Sequence, residues 1–329
     1  MPSVAIMTDE PGWHTRQLQA ALRARGCTGR CVDLADCRID TTASWHGLVI
    51  PGFGHQLPDA VLVRGIAGGT FEQVTKRLGV LHALRELGVT VYNDARAIER
   101  SVDKSMTSLL LHAARIPAPP TWASESQAQA QRITMREAAA GHALVLKPLF
   151  GAQGKGLQRV GHVDGAYHPL PAIDKDYGSL AYLQRFVPPT SSPGFDWRVL
   201  VVGGRAITAM RRVSAHWVHN VAQGARCEPA EAAGELAQLA EAAALALGMD
   251  YAGVDLIPVA PQAESATQHG IQVLEVNGIA AWQGLQRVSG FNIARAIVDD
   301  LLERKLGREI GREIGRNRAG DGSSLSRRA

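Results

Sequence analysis

Two acids set among apolar strand residues are the first chemistry visible in this 329-residue chain. Asp255 lies in Gly253-Val254-Asp255-Leu256, and Glu275 in Val273-Leu274-Glu275-Val276-Asn277. An unpaired carboxylate is costly to bury, so two on adjacent strands want a cation. Asp255, Glu275 and the Asn277 amide oxygen make a hard-oxygen set suited to Mg²⁺ shared with substrate phosphates. Equally, each acid has an arginine within reach of pairing, such as Arg198 or Arg212. A second element is Lys147-Pro148-Leu149-Phe150-Gly151-Ala152-Gln153-Gly154-Lys155-Gly156. Its glycines let backbone N–H groups turn toward a phosphate while lysine supplies countercharge. It is not the P-loop pattern, and a plain glycine-rich turn reads the same. A third is Asp196-Trp197-Arg198-Val199-Leu200-Val201-Val202, whose alternation puts Arg198, Leu200 and Val202 on one face. Arginine there suits a planar clamp on phosphate or carboxylate, or an ion pair with one of the acids. Arg211 and Arg212 are adjacent on the following strand, so only one of them faces the same side. Leu183-Gln184-Arg185-Phe186-Val187 before Pro188-Pro189 says only that a buried strand stops.

The elements that carry these residues divide into two patterns. Residues 4–7, 30–34, 47–50, 60–64 and 89–92 read as short apolar strands, with helices over 13–25 and 71–87 between them. Strands separated by helices imply a parallel sheet covered on both faces, a small doubly wound α/β domain. A helix over 95–115, with Ser101 and Asp103 as caps for its second half, stops at Ile116-Pro117-Ala118-Pro119-Pro120. After a helix over 125–140 and a strand over 143–146, strands 157–160, 181–186, 198–202 and 206–212 follow with little helix between. Val201-Val202-Gly203-Gly204 reads as a hairpin turn, so this half is an antiparallel α+β region. A helix over 230–247, strands 251–259 and 271–276, and a helix over 292–306 complete it.

Composition excludes several classes. Apolar residues make 46% and charged residues 20%, which speaks against wholesale disorder. No apolar run is long enough to span a bilayer, and the start lacks the basic region of a secretory signal, so a cytoplasmic protein without membrane contact is expected. The net charge of +4 is concentrated at the end, where Lys305, Arg308, Arg312, Arg316, Arg318, Arg327 and Arg328 outnumber Glu309, Glu313 and Asp321. Without interleaved aromatics, this tail over 307–329 reads as solvated and disordered, not as a nucleic-acid surface. Cys27, Cys31, Cys37 and Cys227 fit no common zinc spacing, and His216 and His219 lack a nearby third ligand.

Taken in order, the motifs resemble the ATP-grasp superfamily, specifically the RimK-like amino-acid ligases. The matching pieces are Ser101-Val102-Asp103-Lys104, IPAPPTW, LKPLFGAQGKG, YLQRFV, DWRVLVVGGRAITAMRR, the 220–224 stretch, YAGVDL and VLEVN, together spanning about 92–302. The resemblance implies an ATP-grasp fold over 95–306, with a lid subdomain near 118–190, behind a pre-ATP-grasp domain over 1–94. It implies that Lys104 and Lys147 contact the phosphates and adenine of ATP. Gln184, Arg185, Phe186 and Val187 would form the hinge strand facing adenine, and Asp196 would hold the ribose. Gly151, Gln153, Gly154 and Gly156 would shape a flap over the γ-phosphate. Asp255, Glu275 and Asn277 would hold two Mg²⁺ ions, or Mn²⁺ in their place. Arg198, Arg212 (chosen over Arg211 by the resemblance) and Asn220 would stabilise the transferring phosphoryl group. Two departures stand out: Arg185 where many relatives have an acid, and Gly278-Ile279-Ala280-Ala281-Trp282 where many carry Pro-Gly.

The reaction implied joins an amine to a carboxylate through an acyl phosphate. The TDEPGWH segment and the run LHALRELGVTVYNDARAIERSVDKSMTSLLLHAA are similar to the pterin branch of the family. There L-glutamate would be added to a carboxylate-bearing acceptor of the tetrahydromethanopterin type. A protein C-terminus, a deazaflavin cofactor or an amino-group carrier protein are the alternative acceptors, and a non-catalytic ATP-binding sensor is the alternative of another class. Relatives of this kind are often homo-oligomers.

Overall fold

The computed structural model describes residues 1–42, 44–151, 154–174, 177–260 and 270–307. Gln153 and the basic tail beyond 307 lie outside these residues. The chain forms two compact units, Met1–Ala95 with the segment from Asn292 onward, and Arg96–Phe291.

The first unit is a parallel sheet in the order β2-β1-β5-β6, built from β1 (Ser3–Met7), β2 (Thr28–Val32), β5 (Ala60–Val63) and β6 (Thr90–Tyr92). Val4, Ala5, Ile6 and Met7 of β1 and all four residues of β5 are fully buried, as a sheet covered on both faces requires. Helices α1 (Trp13–Ala24) and α2 (Phe71–Glu86) make the crossovers, and Thr70 and Gln73 close a reciprocal capping box at the start of α2. Residues 47–50 were expected in this sheet. They form instead β4 (Leu48–Val49), which pairs antiparallel with β3 (Arg38–Ile39) in a ladder of its own. Helix α8 (Ile293–Asp299) and the π-helical turn after it lie within the expected module over 95–306 but group by their contacts with the first unit. The physical reason is local: Arg25, just past the end of α1, pairs with Asp299 at 2.6 Å, and the Tyr92 hydroxyl donates to Asp300 at 2.7 Å.

The second unit opens with α3 (Ala95–Val102) and α4 (Lys104–Ala113), split where the Asp103 carboxylate accepts from Ser105 N and Met106 N. A five-stranded antiparallel sheet follows in the order β10-β9-β8-β11-β7. Its strands are β7 (Thr121–Ser124), β8 (Ala143–Lys147), β9 (Gln158–Val163), β10 (Ala166–His168) and β11 (Ala181–Arg185). Helix α5 (Gln127–Ala139) covers it through Ala130 and Ile133. A second antiparallel sheet has the order β14-β13-β12-β15-β16. It contains β12 (Gly194–Val202), β13 (Arg205–Ser214), β14 (Arg226–Ala230), β15 (Tyr251–Pro258) and β16 (Ile271–Asn277). Gly203 and Gly204, both at positive φ, turn β12 into β13, as a tight two-residue hairpin demands. Helix α6 (Gly234–Leu247) packs on one face, over Val199, Val201, Val254 and Leu256, which leaves the other face for polar residues.

Arg185, the departure noted in the hinge, has a structural partner. Alternation along β11 sends Gln184 to one side and Arg185 to the side of α5. There its guanidinium donates to the buried Glu137 carboxylate at 2.7 and 3.2 Å. Arg136 and His142 meet the same carboxylate. Burial works to raise the Glu137 pKa, but Arg185 and its companions outweigh this and hold it below the ordinary glutamate range. A carboxyl depressed in the folded state contributes above its unfolded value, about 4.3, and the contribution vanishes as pH falls through the folded value. Glu137→Gln should therefore cost about 1–2 kcal/mol in urea denaturation at pH 7. The deficit should shrink below pH of about 4; a deficit independent of pH would show that ionisation contributes nothing.

Candidate functional site

The polar face of the second sheet gathers the acids and arginines in register. Asp196 lies opposite Arg212, Arg198 opposite Asp255, and Asp255 opposite Glu275, across four successive strands. Arg198 grips Asp255 with Nε and Nη2, both at 2.6 Å, and Arg212 grips Asp196 at 2.7 and 2.6 Å while reaching Asp255 at 3.0 Å. Asp196, Arg212 and Asp255 are each about 95% buried. Burial opposes ionisation of Asp255, yet Arg198 and Arg212 together keep its pKa below the ordinary range. Asp196 has one arginine and the charge of Asp255 nearby, and burial pushes it up to about 6. Arg211 turns away, to Glu228 at 2.8 Å and over the Phe195 ring, so Arg212 is the member of the pair in the cleft.

A β-bulge sets the position of Glu275. Asp255 pairs with Glu275 but Leu256 pairs with Val273, leaving Leu274 as the extra residue. Val273 and Val276 stay in the core, and Leu274 and Glu275 both line the cleft. The Asn277 amide donates to Gly253 O at 3.1 Å, which commits its nitrogen and leaves its oxygen as the metal-competent atom. The segment after it is core: Trp282 is fully buried, and a Cβ on Gly253 would lie 2.9 Å from the Ala280 Cβ.

The facing wall comes from the first antiparallel sheet and α4. Lys147, at the end of β8, donates to Gln184 Oε1 at 2.6 Å, and burial pushes its pKa down to about 8. Lys104, first residue of α4, donates to the carbonyls of Leu149 and Gly151 at 3.0 and 2.9 Å and stands 3.9 Å from Glu275. Burial lowers its pKa too, against the pull of Glu275 and Asp103. The glycine loop rests beside it. Gly154 has φ +70°, and a Cβ there would lie 2.8 Å from Val218; Gly156 has φ +72°, with Pro148 at 2.9 Å. In the hinge, Arg185 N–H donates to Pro120 O and Phe186 N–H to Ala143 O. Val187 N–H has no main-chain acceptor among the described residues.

The cleft thus brings together Lys104, Lys147, Gly151, Gly154, Gln184, Arg185, Phe186, Val187, Asp196, Arg212, Asn220, Asp255 and Glu275. Arg198 and Asn277 stand behind it, reaching in through Asp255 and Gly253, and Gly156 closes the loop. Asn220 caps a short 3₁₀ turn through Ala222 N. Sequence reasoning missed Tyr182, Trp217 and His219 as cleft residues. Tyr182 was legible as cleft-facing from alternation with Gln184; the 217–220 loop carried no periodic signal. Among the described residues no three His, Cys, Asp or Glu side chains converge on a metal position. Two carboxylates and an amide oxygen fit Mg²⁺ if phosphate oxygens and water complete the shell.

Known proteins place this arrangement. Residues 3–98 match the RimK PreATP-grasp domain and residues 101–301 the RimK-like ATP-grasp domain. A tetrahydromethanopterin:alpha-L-glutamate ligase of Methanosarcina acetivorans is 34% identical over 90% of this chain and 97% of its own. A probable alpha-L-glutamate ligase of Legionella pneumophila is 28% identical over 92% and 95%. Among solved structures, the ATP-grasp ligase PsnB with a minimal precursor superposes with a TM-score of 0.67 at 20% identity, covering 92% of this chain and 98% of that one. A RimK domain ATP-grasp protein from Sphaerobacter thermophilus gives 0.64 at 23%, covering 90% and 98%. The ATP-grasp fold, preceded by a RimK pre-ATP-grasp domain, is therefore the architecture of this protein, and the chain belongs to the RimK-like ATP-grasp ligase family.

Proposed function

We propose that the protein joins L-glutamate to a carboxylate-bearing acceptor of the tetrahydromethanopterin type, consuming ATP and releasing ADP and phosphate. The observation that carries this reading is the register of Asp255 and Glu275 on β15 and β16, opposite Lys104 and Lys147 across one cleft. The 34% identity over nearly the whole length of the methanogen ligase supports the acceptor class. Four free thiols, two buried and two partly buried, suit a cytoplasmic setting; no helix among the described residues is long and apolar enough to cross a membrane.

In this reading Val187 N–H and the neighbouring hinge carbonyls receive adenine, and Lys104 and Lys147 meet the phosphates. Asp255, Glu275 and Asn277 would hold two divalent ions, Mg²⁺ or Mn²⁺, which would supply positive charge against the phosphates. Arg198 and Arg212, pre-aimed by Asp255 and Asp196, stabilise the charge that develops as the γ-phosphoryl passes to the acceptor carboxylate. Asn220 steadies the phosphoryl oxygens from the opposite loop. The 151–156 loop excludes water, since an exposed acyl phosphate hydrolyses before the glutamate amine attacks. Phosphate release in the presence of glutamate and a panel of acceptors tests the assignment: a pterin-type carboxylate should stimulate it, and stimulation by a deazaflavin or a protein C-terminus instead would reassign the acceptor.

Four substitutions probe the residues. Glu275→Ala should abolish ATP turnover with an unaltered circular dichroism spectrum, because this side chain is about one-third exposed and fills no core space. Arg212→Gln should lower kcat by roughly a hundredfold or more with nucleotide affinity changed only a few-fold. Arg211→Gln, acting on a surface pair, should leave kcat within about twofold; equal losses would show that both arginines serve the cleft. Lys147 is cationic below about pH 8, so nucleotide affinity should weaken as pH rises through that value. Lys147→Arg, which keeps its charge, should flatten the profile; an unchanged profile would remove Lys147 from phosphate binding.

A further inference from the structure

His219 lies in the cleft without an assigned task. Its side chain is 95% buried, and its Nε2 has no hydrogen-bond partner among the described residues. The ring sits over the first residue of β12, where a Cβ on Gly194 would lie 2.9 Å from Nε2 and 3.0 Å from the Pro189 Cβ. Only glycine leaves room there for the imidazole. The loop that carries it is held at the hinge: Trp217 packs edge-on against Phe186, and the Arg159 guanidinium stacks over both rings. Val218 meets the glycine loop at Gly154. His219 is thus fixed between the hinge, the start of β12 and Arg212.

That position is at the nucleoside end of the cleft. Gly194 precedes Arg198, the partner of Asp255, by four residues, roughly 13 Å along a strand. The phosphate end is already served by lysines and arginines, and the hinge offers main-chain groups to adenine. What remains between them is the sugar. Both Asp196 oxygens already accept from Arg212, so the two ribose hydroxyls need a further partner beside this carboxylate. Burial and the Arg212 charge both lower the His219 pKa, so the ring is neutral near pH 7. A neutral imidazole has one donor and one acceptor nitrogen, the complement of a hydroxyl and a poor partner for phosphate.

We propose that the His219 imidazole hydrogen-bonds a ribose hydroxyl of the bound nucleotide and makes the cleft selective for ribonucleotides. The inference rests on the ligase reading only in placing a nucleotide in this cleft.

The test is calorimetric binding of ADP, 2′-deoxy-ADP and 3′-deoxy-ADP with Mg²⁺ to the full chain. The wild type should bind one of the two deoxynucleotides about tenfold more weakly than ADP, the loss of one hydrogen bond. His219→Ala should weaken ADP binding about tenfold and abolish that discrimination, while His219→Gln, which retains hydrogen-bonding atoms, should keep part of it. Equal affinity of the wild type for all three nucleotides would overturn the proposal, and so would an equal loss for all three in His219→Ala. Should the alanine variant fail to fold, the wild-type series and His219→Gln still decide the matter. A wild-type protein that binds ADP yet releases no phosphate with any acceptor would overturn the ligase reading alone.

Discussion

Four charges on one face of one sheet govern the rest of this unit. Arg198, Asp255, Arg212 and Asp196 form a continuous chain of charge-assisted hydrogen bonds, almost wholly out of water. Such a cluster is a poor way to gain stability, because desolvating each ion costs several kcal/mol that the attraction only repays with good geometry. Apolar residues of similar volume would hold the sheet as well or better. Its cost is intelligible if the arginines must be rigid and charged when a phosphate arrives. Each carboxylate then acts as a stay that fixes a guanidinium plane before the ligand enters.

The charge count of the cleft bears on the order in which ligands enter. Lys104, Lys147, Arg198 and Arg212 face three carboxylates, Asp196, Asp255 and Glu275. The excess is positive, and both oxygens of Asp255 are already engaged by arginine. A bare divalent cation meets a site with its ligand occupied and its potential unfavourable. A triphosphate meets the reverse, a surplus of fixed positive charge. In the proposed function, the divalent ions would therefore enter with the triphosphate and not ahead of it.

How much of this was legible follows from periodicity. Alternation along β12 located Arg198 on the face of Leu200 and Val202, and the Gly203-Gly204 turn fixed the hairpin. The bulge at Leu274 broke the period on β16 at the very place where Glu275 had to be turned into the cleft, and nothing local to VLEVN announces it. The choice between Arg211 and Arg212 depended on register across two strands, which adjacency in sequence leaves open. Residues 47–50 looked like a sheet strand because Leu48 and Ile50 are buried, but burial there comes from a separate small ladder. Arg185 stood as an unexplained departure in the hinge only while Glu137, 48 residues away, was out of view.

The two walls of the cleft rest on different physics, and this separates their roles. The second sheet is braced by ion pairs across successive strands and by α6 beneath, so its arginines have little freedom. The opposing wall is held by a long-range set of single contacts: Lys147 on Gln184, Lys104 on two loop carbonyls, Gly154 against Val218, Trp217 against Phe186. The carbonyls that Lys104 occupies belong to the glycine loop itself. In the proposed function, a phosphate that draws the ammonium away would release the carbonyls of Leu149 and Gly151 as the nucleotide arrives. Nucleotide entry would then be an exchange of partners at one lysine, set against an opposite face that its ion pairs hold fixed.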